Sequence, residues 1–273
     1  MIKIKPFLRW AGGKTWLTKH IDKFIPEEFN NYYEPFVGGG AIFLYLKSNG
    51  YIKNKSYLSD SNPELINAYK VIKSNPDDLI KSLLEFKNTE EDYYKIRKTN
   101  FDNKIETASK FIYLNKTSFN GIYRVNRKGE YNVPFGNRNT KDLYNFDNIL
   151  KISELLKSTY FSVSDFKKKC EQTKENDLIF LDPPYTVAHE NNGFIQYNQS
   201  LFSWKNQIEL SQILEQLANK KTYFILTNAS HISIDELYQI GNKNIMSRPS
   251  TIGGIGAKRT SYNEIIISNV TRG

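Results

Sequence analysis

Short runs of apolar and β-branched residues recur along this chain, and most alternate with stretches whose apolar positions fall at helical spacing. The runs predict strands over 32–37, 56–59, 160–163, 178–181, 223–227 and 263–268, with a weaker one over 243–247. The intervening pattern predicts helices over 14–24, 63–73, 207–219 and 234–239. This alternation is the βαβ signature of an open, mostly parallel sheet. From about residue 75 to 150 it fails. There the pattern gives helices over 77–86, 90–100 and 104–115, then two extended arms over 122–125 and 130–133. The turn between the arms, Asn126-Arg127-Lys128-Gly129, puts a glycine where positive φ is needed, and Pro134 closes the second arm. The expectation is an α/β protein: a sheet domain over 1–74 and 151–273, and an inserted helical module over 75–150 carrying a hairpin at about 119–136.

Open α/β sheets bind ligands at the carboxyl ends of their strands, and the unusual residues collect there. Gly38-Gly39-Gly40 follow the first strand, where bare backbone can approach a ligand closely. Asp60 ends the second, 22 residues beyond Gly38, near the offset at which an acid reaches ribose hydroxyls in nucleotide-binding folds. Ser164-Asp165-Phe166 end the third strand, Asp182-Pro183-Pro184-Tyr185 the fourth and Thr227-Asn228 the fifth. Singly, each has a plain structural explanation: a tight turn, a helix cap at Asp60, a surface acid at Asp165. Their shared location points to a ligand. Three other motifs fail on spacing. The first glycine of a phosphate loop ending at Gly13-Lys14-Thr15 falls on Leu8. Phe43 stands at the third glycine of a dinucleotide fingerprint, and Gly193 where His189-Glu190 would need a second histidine.

Charge narrows the partners. Lys and Arg total 38 against 29 acids, a net charge of +9, which suits a polyanion such as nucleic acid. A lysine-rich, solvated surface would give the same balance. Cys170 is the only cysteine and there are three histidines, so neither a disulfide nor a thiolate cluster can form, and no metal is expected. The first ten residues, MIKIKPFLRW, lack the apolar stretch of a signal peptide, and no later run approaches a membrane span. A soluble, intracellular chain with no membrane partner is expected.

The diproline after the fourth strand carries the chemistry. Each proline fixes its own φ and restricts the residue before it, so the backbone at Asp182 and Pro183 is largely preset. Neither proline has an N–H. The Asp182 carboxylate and the Pro183 carbonyl can therefore accept both hydrogens of a planar amino group, while Tyr185 offers a face for an aromatic base. An exocyclic amine on a nucleobase is a poor nucleophile, because its lone pair is delocalised into the ring. Holding both N–H bonds on acceptors favours a pyramidal nitrogen and frees that pair for attack on a methyl sulfonium. Positioning and electrostatics then supply most of the acceleration, without a tuned general base.

With these residues in place, the chain resembles the Dam-type, alpha-group (D12 class) DNA adenine-N6 methyltransferases, over nearly its whole length and in that group's motif order. The residues that carry the resemblance are Phe7-Leu8-Arg9-Trp10-Ala11-Gly12-Gly13-Lys14, Glu34-Pro35-Phe36-Val37-Gly38-Gly39-Gly40, Leu58-Ser59-Asp60-Ser61-Asn62 and Asp182-Pro183-Pro184-Tyr185. Phe119-Asn120-Gly121-Ile122-Tyr123-Arg124-Val125-Asn126, continuing to Asn132-Val133-Pro134-Phe135-Gly136, resembles the group's DNA-reading hairpin. The resemblance implies a Rossmann-like, S-adenosylmethionine-dependent sheet domain with the insertion as DNA-recognition domain. It implies that Trp10, Lys14, Phe36, Gly38, Gly40, Asp60, Asp165, Phe166 and Asp182 bind S-adenosylmethionine, and that Asp182, Pro183, Pro184 and Tyr185 are catalytic.

The target amine lies inside a base pair, so that nucleotide must be extruded. Phe119 holds the family's intercalating position, with ordinary core packing at a helix end as its alternative. Arg124 matches the guanine-reading arginine, since guanine's paired acceptors suit a guanidinium. Arg127 and Lys128, at the turn, suit phosphates. Arg9, Asn120, Ile122, Asn126 and Pro134 complete the DNA-contacting set that the resemblance implies. Lys258 and Arg259 join it from a stretch, 241–259, with four basic residues, four glycines and no acid. Between residues 116 and 142 there are six basic residues and two acids. The chain departs from the family's commoner pattern at Asn137-Arg138-Asn139-Thr140 and over 186–193, while Phe194 and Tyr197 keep aromatic positions able to wall a flipped base. GATC in duplex DNA is the favoured target because the hairpin fits it. An RNA adenine methyltransferase and an idle DNA-binding module are the competing expectations. The first is disfavoured because A-form RNA hides its major groove, the second because the tetrad is intact. The resemblance also implies a cytoplasmic enzyme, acting on a bacterial nucleoid or phage-encoded, with a cognate restriction endonuclease as a further partner.

Overall fold

The computed structural model describes residues 4–126, 128–137, 143–187, 202–249 and 261–271. Among them seven strands form a sheet: β1 (Tyr32–Glu34), β2 (Ser56–Asp60), β3 (Thr159–Val163), β4 (Leu178–Leu181), β5 (Tyr223–Ala229), β6 (Asn242–Pro249) and β7 (Ser261–Ser268). Their order is β3-β2-β1-β4-β5-β7-β6. β4 pairs in parallel with β1 and with β5, so a topological switch point lies between β1 and β4, where α/β sheets bind ligands. β7 is antiparallel to both β5 and β6, an exception that a mostly parallel sheet admits. The reason is chain length. Only eleven residues separate Pro249 from Ser261, and a parallel crossover needs about a dozen or more.

The helices are α1 (Ala41–Ser48), α2 (Pro63–Ser74), α3 (Pro76–Leu84), α4 (Glu90–Lys98), α5 (Lys104–Thr117), α6 (Phe146–Leu155), α7 (Phe166–Glu171), α8 (Trp204–Asn219) and α9 (Ile232–Leu237). By contacts the chain divides into two compact units. One comprises Met1–Thr18, Val37–Lys53 and Leu58–Val163; the other comprises Lys19–Phe36, Asn54–Tyr57 and Ser164–Gly273.

In the first unit α2 packs on α3 and α5, and Leu65, Ile66, Leu79, Leu83 and Ile112 of these helices are buried. α2 begins where it does because the Asn62 side chain accepts from the N–H groups of Glu64 and Leu65, at 2.9 and 3.2 Å. Pro63 fills the first helical position, which has no use for an N–H. The predicted helix over 14–24 is instead two 3₁₀ turns, Lys14–Lys19 and Ile21–Phe24, broken at His20 with φ −132°. α1, α6 and α7 were not predicted.

In the second unit every residue of β4 is buried, as an apolar run between two parallel neighbours requires. Ile179 and Leu181 pack with Leu210 and Leu214 of α8, Leu226 of β5 and Ile267 of β7. Fully burying one such side chain contributes about 1.5–3 kcal/mol. α8 is opened by a capping box between Ser203 and Asn206. No helix among the described residues is long and apolar enough to cross a membrane, and no three of their His, Cys, Asp or Glu side chains cluster as metal ligands.

Candidate functional site

In the first unit the glycine loop is held from both sides. Gly38 and Gly40 have φ of 45° and 65°. A Cβ on Gly38 would lie 2.8 Å from Cδ1 and Nε1 of Trp10, and one on Gly40 would lie 2.5 Å from the Tyr69 hydroxyl. Both positions therefore demand glycine. The Tyr69 hydroxyl donates to the Gly38 carbonyl at 2.9 Å. Asp60, at the carboxyl end of β2, accepts from Gly38 N–H at 3.2 Å and from Asn62 N–H at 3.0 Å. Asn62 is the cap of α2, so Asp60 is not spent on that helix. Burial pushes the Asp60 carboxyl above the ordinary value, opposed by N–H bonds from Asn62, Gly38 and Ser61. A carboxylate offers about four lone-pair sites, so it retains capacity for a ligand hydroxyl. Lys14 is buried, with its ammonium donating to the Gly12 carbonyl at 2.9 Å.

The same unit holds the hairpin. Asn126 N–H donates to Glu130 O at 2.9 Å and Gly129 N–H to Asn126 O at 3.0 Å, with Gly129 at φ 79°. The expected arms reduce to isolated bridges, Val125 with Tyr131 and Ser118 with Phe135. Side chains take carbonyls that a ladder would use. The Tyr131 hydroxyl donates to Ile122 O at 2.6 Å, and the Tyr93 hydroxyl and Arg97 Nη1 both donate to Val133 O, at 2.7 and 3.0 Å. Asn126 is consumed by the turn: its Oδ1 accepts from Lys128 and Glu130 N–H. Phe119 is 53% exposed, which rules out the core-packing alternative. Arg124 is exposed, its Nε donating to Asn132 Oδ1 at 2.8 Å. Lys128 and Pro134 are exposed and Ile122 is half-buried. Asn120 has φ 56°. Asn115, a buried residue that no sequence motif marks, donates to the carbonyls of Arg9 and Gly121 at 2.8 and 3.1 Å and accepts from Arg9 N–H at 2.8 Å. It ties Arg9 to the base of the hairpin. Tyr123, beside Arg124, stacks on Trp10 with ring centroids 5.8 Å apart.

In the second unit Phe36 stacks on Phe166 at 5.4 Å and meets the edge of Phe202 at 5.6 Å. Phe202 was missed because nothing in its sequence neighbourhood marks it. Asp165 caps α7, accepting from Lys167 N–H at 2.8 Å. Asp182-Pro183-Pro184-Tyr185 follow β4 directly. The Asp182 carboxylate is half-buried, and its Oδ1 accepts from the Thr227 hydroxyl at 2.7 Å. The Tyr185 hydroxyl donates to Glu264 at 2.7 Å. The carboxylate is thus held by a bond to the adjacent strand β5, and the tyrosine by one to β7 beyond it. Arg127, Phe194, Tyr197, Lys258 and Arg259 lie outside the described residues.

A family model described as D12 class N6 adenine-specific DNA methyltransferase matches residues 10–251. The Type II methyltransferase M1.LlaDCHI of Lactococcus lactis subsp. cremoris is 34% identical over 278 residues, spanning 98% of this chain and 96% of that protein. The DNA adenine methylase of Haemophilus influenzae is 35% identical over 274 residues, spanning 97% and 93%. The Type II methyltransferase M.MjaIII of Methanocaldococcus jannaschii is 33% identical over 289 residues, spanning 98% and 100%.

Proposed function

Because the chain belongs to the D12 class of N6 adenine-specific DNA methyltransferases, we propose that S-adenosylmethionine is its methyl donor and that its target adenine is drawn out of duplex DNA. The observation that carries this reading is the Asp182 carboxylate at the end of β4, fixed by Thr227 and followed by a diproline that cannot donate. The chemistry of the first unit fits the donor: a glycine-only loop against an indole, and beside it a carboxylate with capacity for a hydroxyl. Trp10, Lys14, Gly38, Gly40 and Asp60, with Phe36, Asp165, Phe166 and Asp182, are the residues we assign to it. When bound, S-adenosylmethionine supplies an electrophilic methyl carbon on a positively charged sulfur.

The chain's own residues act on the base. Asp182 and the Pro183 carbonyl accept the two hydrogens of the adenine amine, which localises the nitrogen lone pair for attack. Tyr185 stacks on the ring and sets its plane. The nitrogen's surplus proton leaves to solvent. Extrusion leaves a gap in the duplex, and Phe119 fills it. Arg124 reads a guanine, and GATC is the proposed site. Arg9, Asn120, Ile122 and Pro134 line the DNA, while Lys128 meets phosphate; Asn126 serves by shaping the turn. The proposal extends to a cytoplasmic setting and to a cognate restriction endonuclease, the latter suggested by the Type II names of two relatives.

Incubation of the protein with methyl-labelled S-adenosylmethionine and duplexes with or without GATC, and with RNA of the same sequence, tests the reading. The expected result is N6-methyladenine in GATC duplexes alone. Cofactor binding without transfer to any DNA would overturn it. Transfer at another mapped site would replace the target and keep the chemistry.

A further inference from the structure

The apolar strands of the second unit are interrupted by polar side chains that water does not reach. Thr227 and Asn228 on β5, Glu264 on β7 and Gln207 on α8 are each 0% exposed. Such groups are unfavourable in a core unless each is hydrogen-bonded. All of them are, and three of the bonds end on one segment, residues 182–186. The Thr227 hydroxyl donates to Asp182 Oδ1 at 2.7 Å. The Tyr185 hydroxyl donates to Glu264 Oε2 at 2.7 Å. Gln207 Nε2 donates to the Thr186 hydroxyl at 3.3 Å. The Gln207 amide is itself oriented, because its Oε1 accepts from the Tyr238 hydroxyl at 2.5 Å and from Asn228 Nδ2 at 3.1 Å.

Three elements therefore hold three side chains of one loop. The prolines preset the backbone, but they do not set the side-chain torsions of the Asp182 carboxylate or the Tyr185 ring. Apolar residues of similar volume at 227, 264 and 207 would fill the core without burying a polar group, so packing alone gives no reason for them.

We propose that Thr227, Glu264 and Gln207 are positioning residues for methyl transfer. Thr227 orients the carboxylate that receives the amine, Glu264 fixes the plane of the ring on which the base stacks, and Gln207 pins the Thr186 end of the loop. This rests on the reading that Asp182 and Tyr185 receive the flipped adenine.

The test is the single-turnover rate of methyl transfer to a cognate duplex, measured with cofactor affinity, DNA affinity and thermal melting. The variants are Glu264→Leu, Glu264→Gln, Thr227→Val, Tyr185→Phe and the double variant Tyr185→Phe/Glu264→Leu. Misplacing reacting groups by about an ångström costs on the order of 100-fold, so Glu264→Leu and Thr227→Val are expected to slow transfer by roughly 10- to 100-fold. Both affinities should stay within about threefold of wild type, a loss in rate rather than in binding. Glu264→Gln keeps an acceptor and should recover to within about fivefold. The double variant should be no slower than Glu264→Leu, because both changes break the same bond. Rates within about twofold of wild type for Glu264→Leu and Thr227→Val would overturn the proposal, as would multiplicative losses in the double variant. If Glu264→Leu does not fold, Thr227→Val, a near-isosteric change, decides alone. A wild-type protein that methylates no DNA defeats the underlying reading; an active wild type with indifferent variants defeats only the anchors.

Discussion

Gly38→Ala should destabilise the first unit well beyond the ordinary effect of adding a methyl group. Gly38 has φ 45°, a region that costs an L-residue about 1–2 kcal/mol. The new Cβ would also sit 2.8 Å from Cδ1 and Nε1 of Trp10, closer than packed carbon atoms approach. That indole cannot simply swing aside: it stacks on Tyr123 at 5.8 Å and lies 6.3 Å from the Phe111 ring. Overpacking of this kind costs about 1–3 kcal/mol, for a total of roughly 2–5 kcal/mol. Gly50→Ala is the control. Gly50 has φ 78°, and a Cβ added there would meet nothing within 4 Å, so only the backbone cost of about 1–2 kcal/mol applies. Urea unfolding of both variants, compared at their midpoints with unchanged slopes, measures the difference. Cofactor affinity should fall in Gly38→Ala and not in Gly50→Ala. Equal midpoints for the two variants would refute the claim that Trp10 is wedged against the loop.

Arg124→Ala should relax discrimination at one base pair by about 1–3 kcal/mol, measured as methylation rates on duplexes altered one pair at a time; a uniform loss of affinity would make Arg124 a phosphate contact instead. Burial pushes the Cys170 thiol up to about 12. At pH 8 its thiolate fraction is then roughly one in ten thousand, so a maleimide should label it only after unfolding, and rapid native labelling would contradict the burial. Burial also pushes the Tyr131 phenol up to about 12, and those of Tyr93, Tyr113 and Tyr144 higher. The fold keeps these protons where the unfolded chain, with phenols near 10, has released them, so stability should fall as pH rises from about 10 to 12. The part of the tyrosinate absorbance that belongs to the buried phenols should appear only as circular dichroism is lost in that window. The full absorbance of all 18 tyrosines, reached with the circular dichroism of the fold intact, would contradict it.

The strands were legible because a short apolar run and an abrupt break are local signals. The glycine demand at 38 and 40 was legible too, although its partners were not: Trp10 and Tyr69 lie 28 and 29 residues away in sequence, a separation that no periodicity spans. Asp60 and Asn62 are both cap-forming residues two apart, so the sequence could not say which one capped α2. The structure gives the cap to Asn62 and leaves Asp60 to the glycine loop. α6 was not predicted, although Phe146, Ile149 and Ile152 stand at helical spacing behind an Asn145 cap, so the local signal for it is present in the sequence. Asp165 proved to be a cap as well as a strand-end acid. The antiparallel placement of β7 beside β5 was beyond a local reading, and with it the approach of Glu264 to Tyr185 across 79 residues.

The central claim is that the Asp182 carboxylate activates an adenine amine, and Asp182→Ala tests it most directly. With labelled S-adenosylmethionine and a cognate duplex under single-turnover conditions, the variant should bind DNA as the wild type does and transfer no detectable methyl group. Transfer at the wild-type rate by that variant would contradict the account.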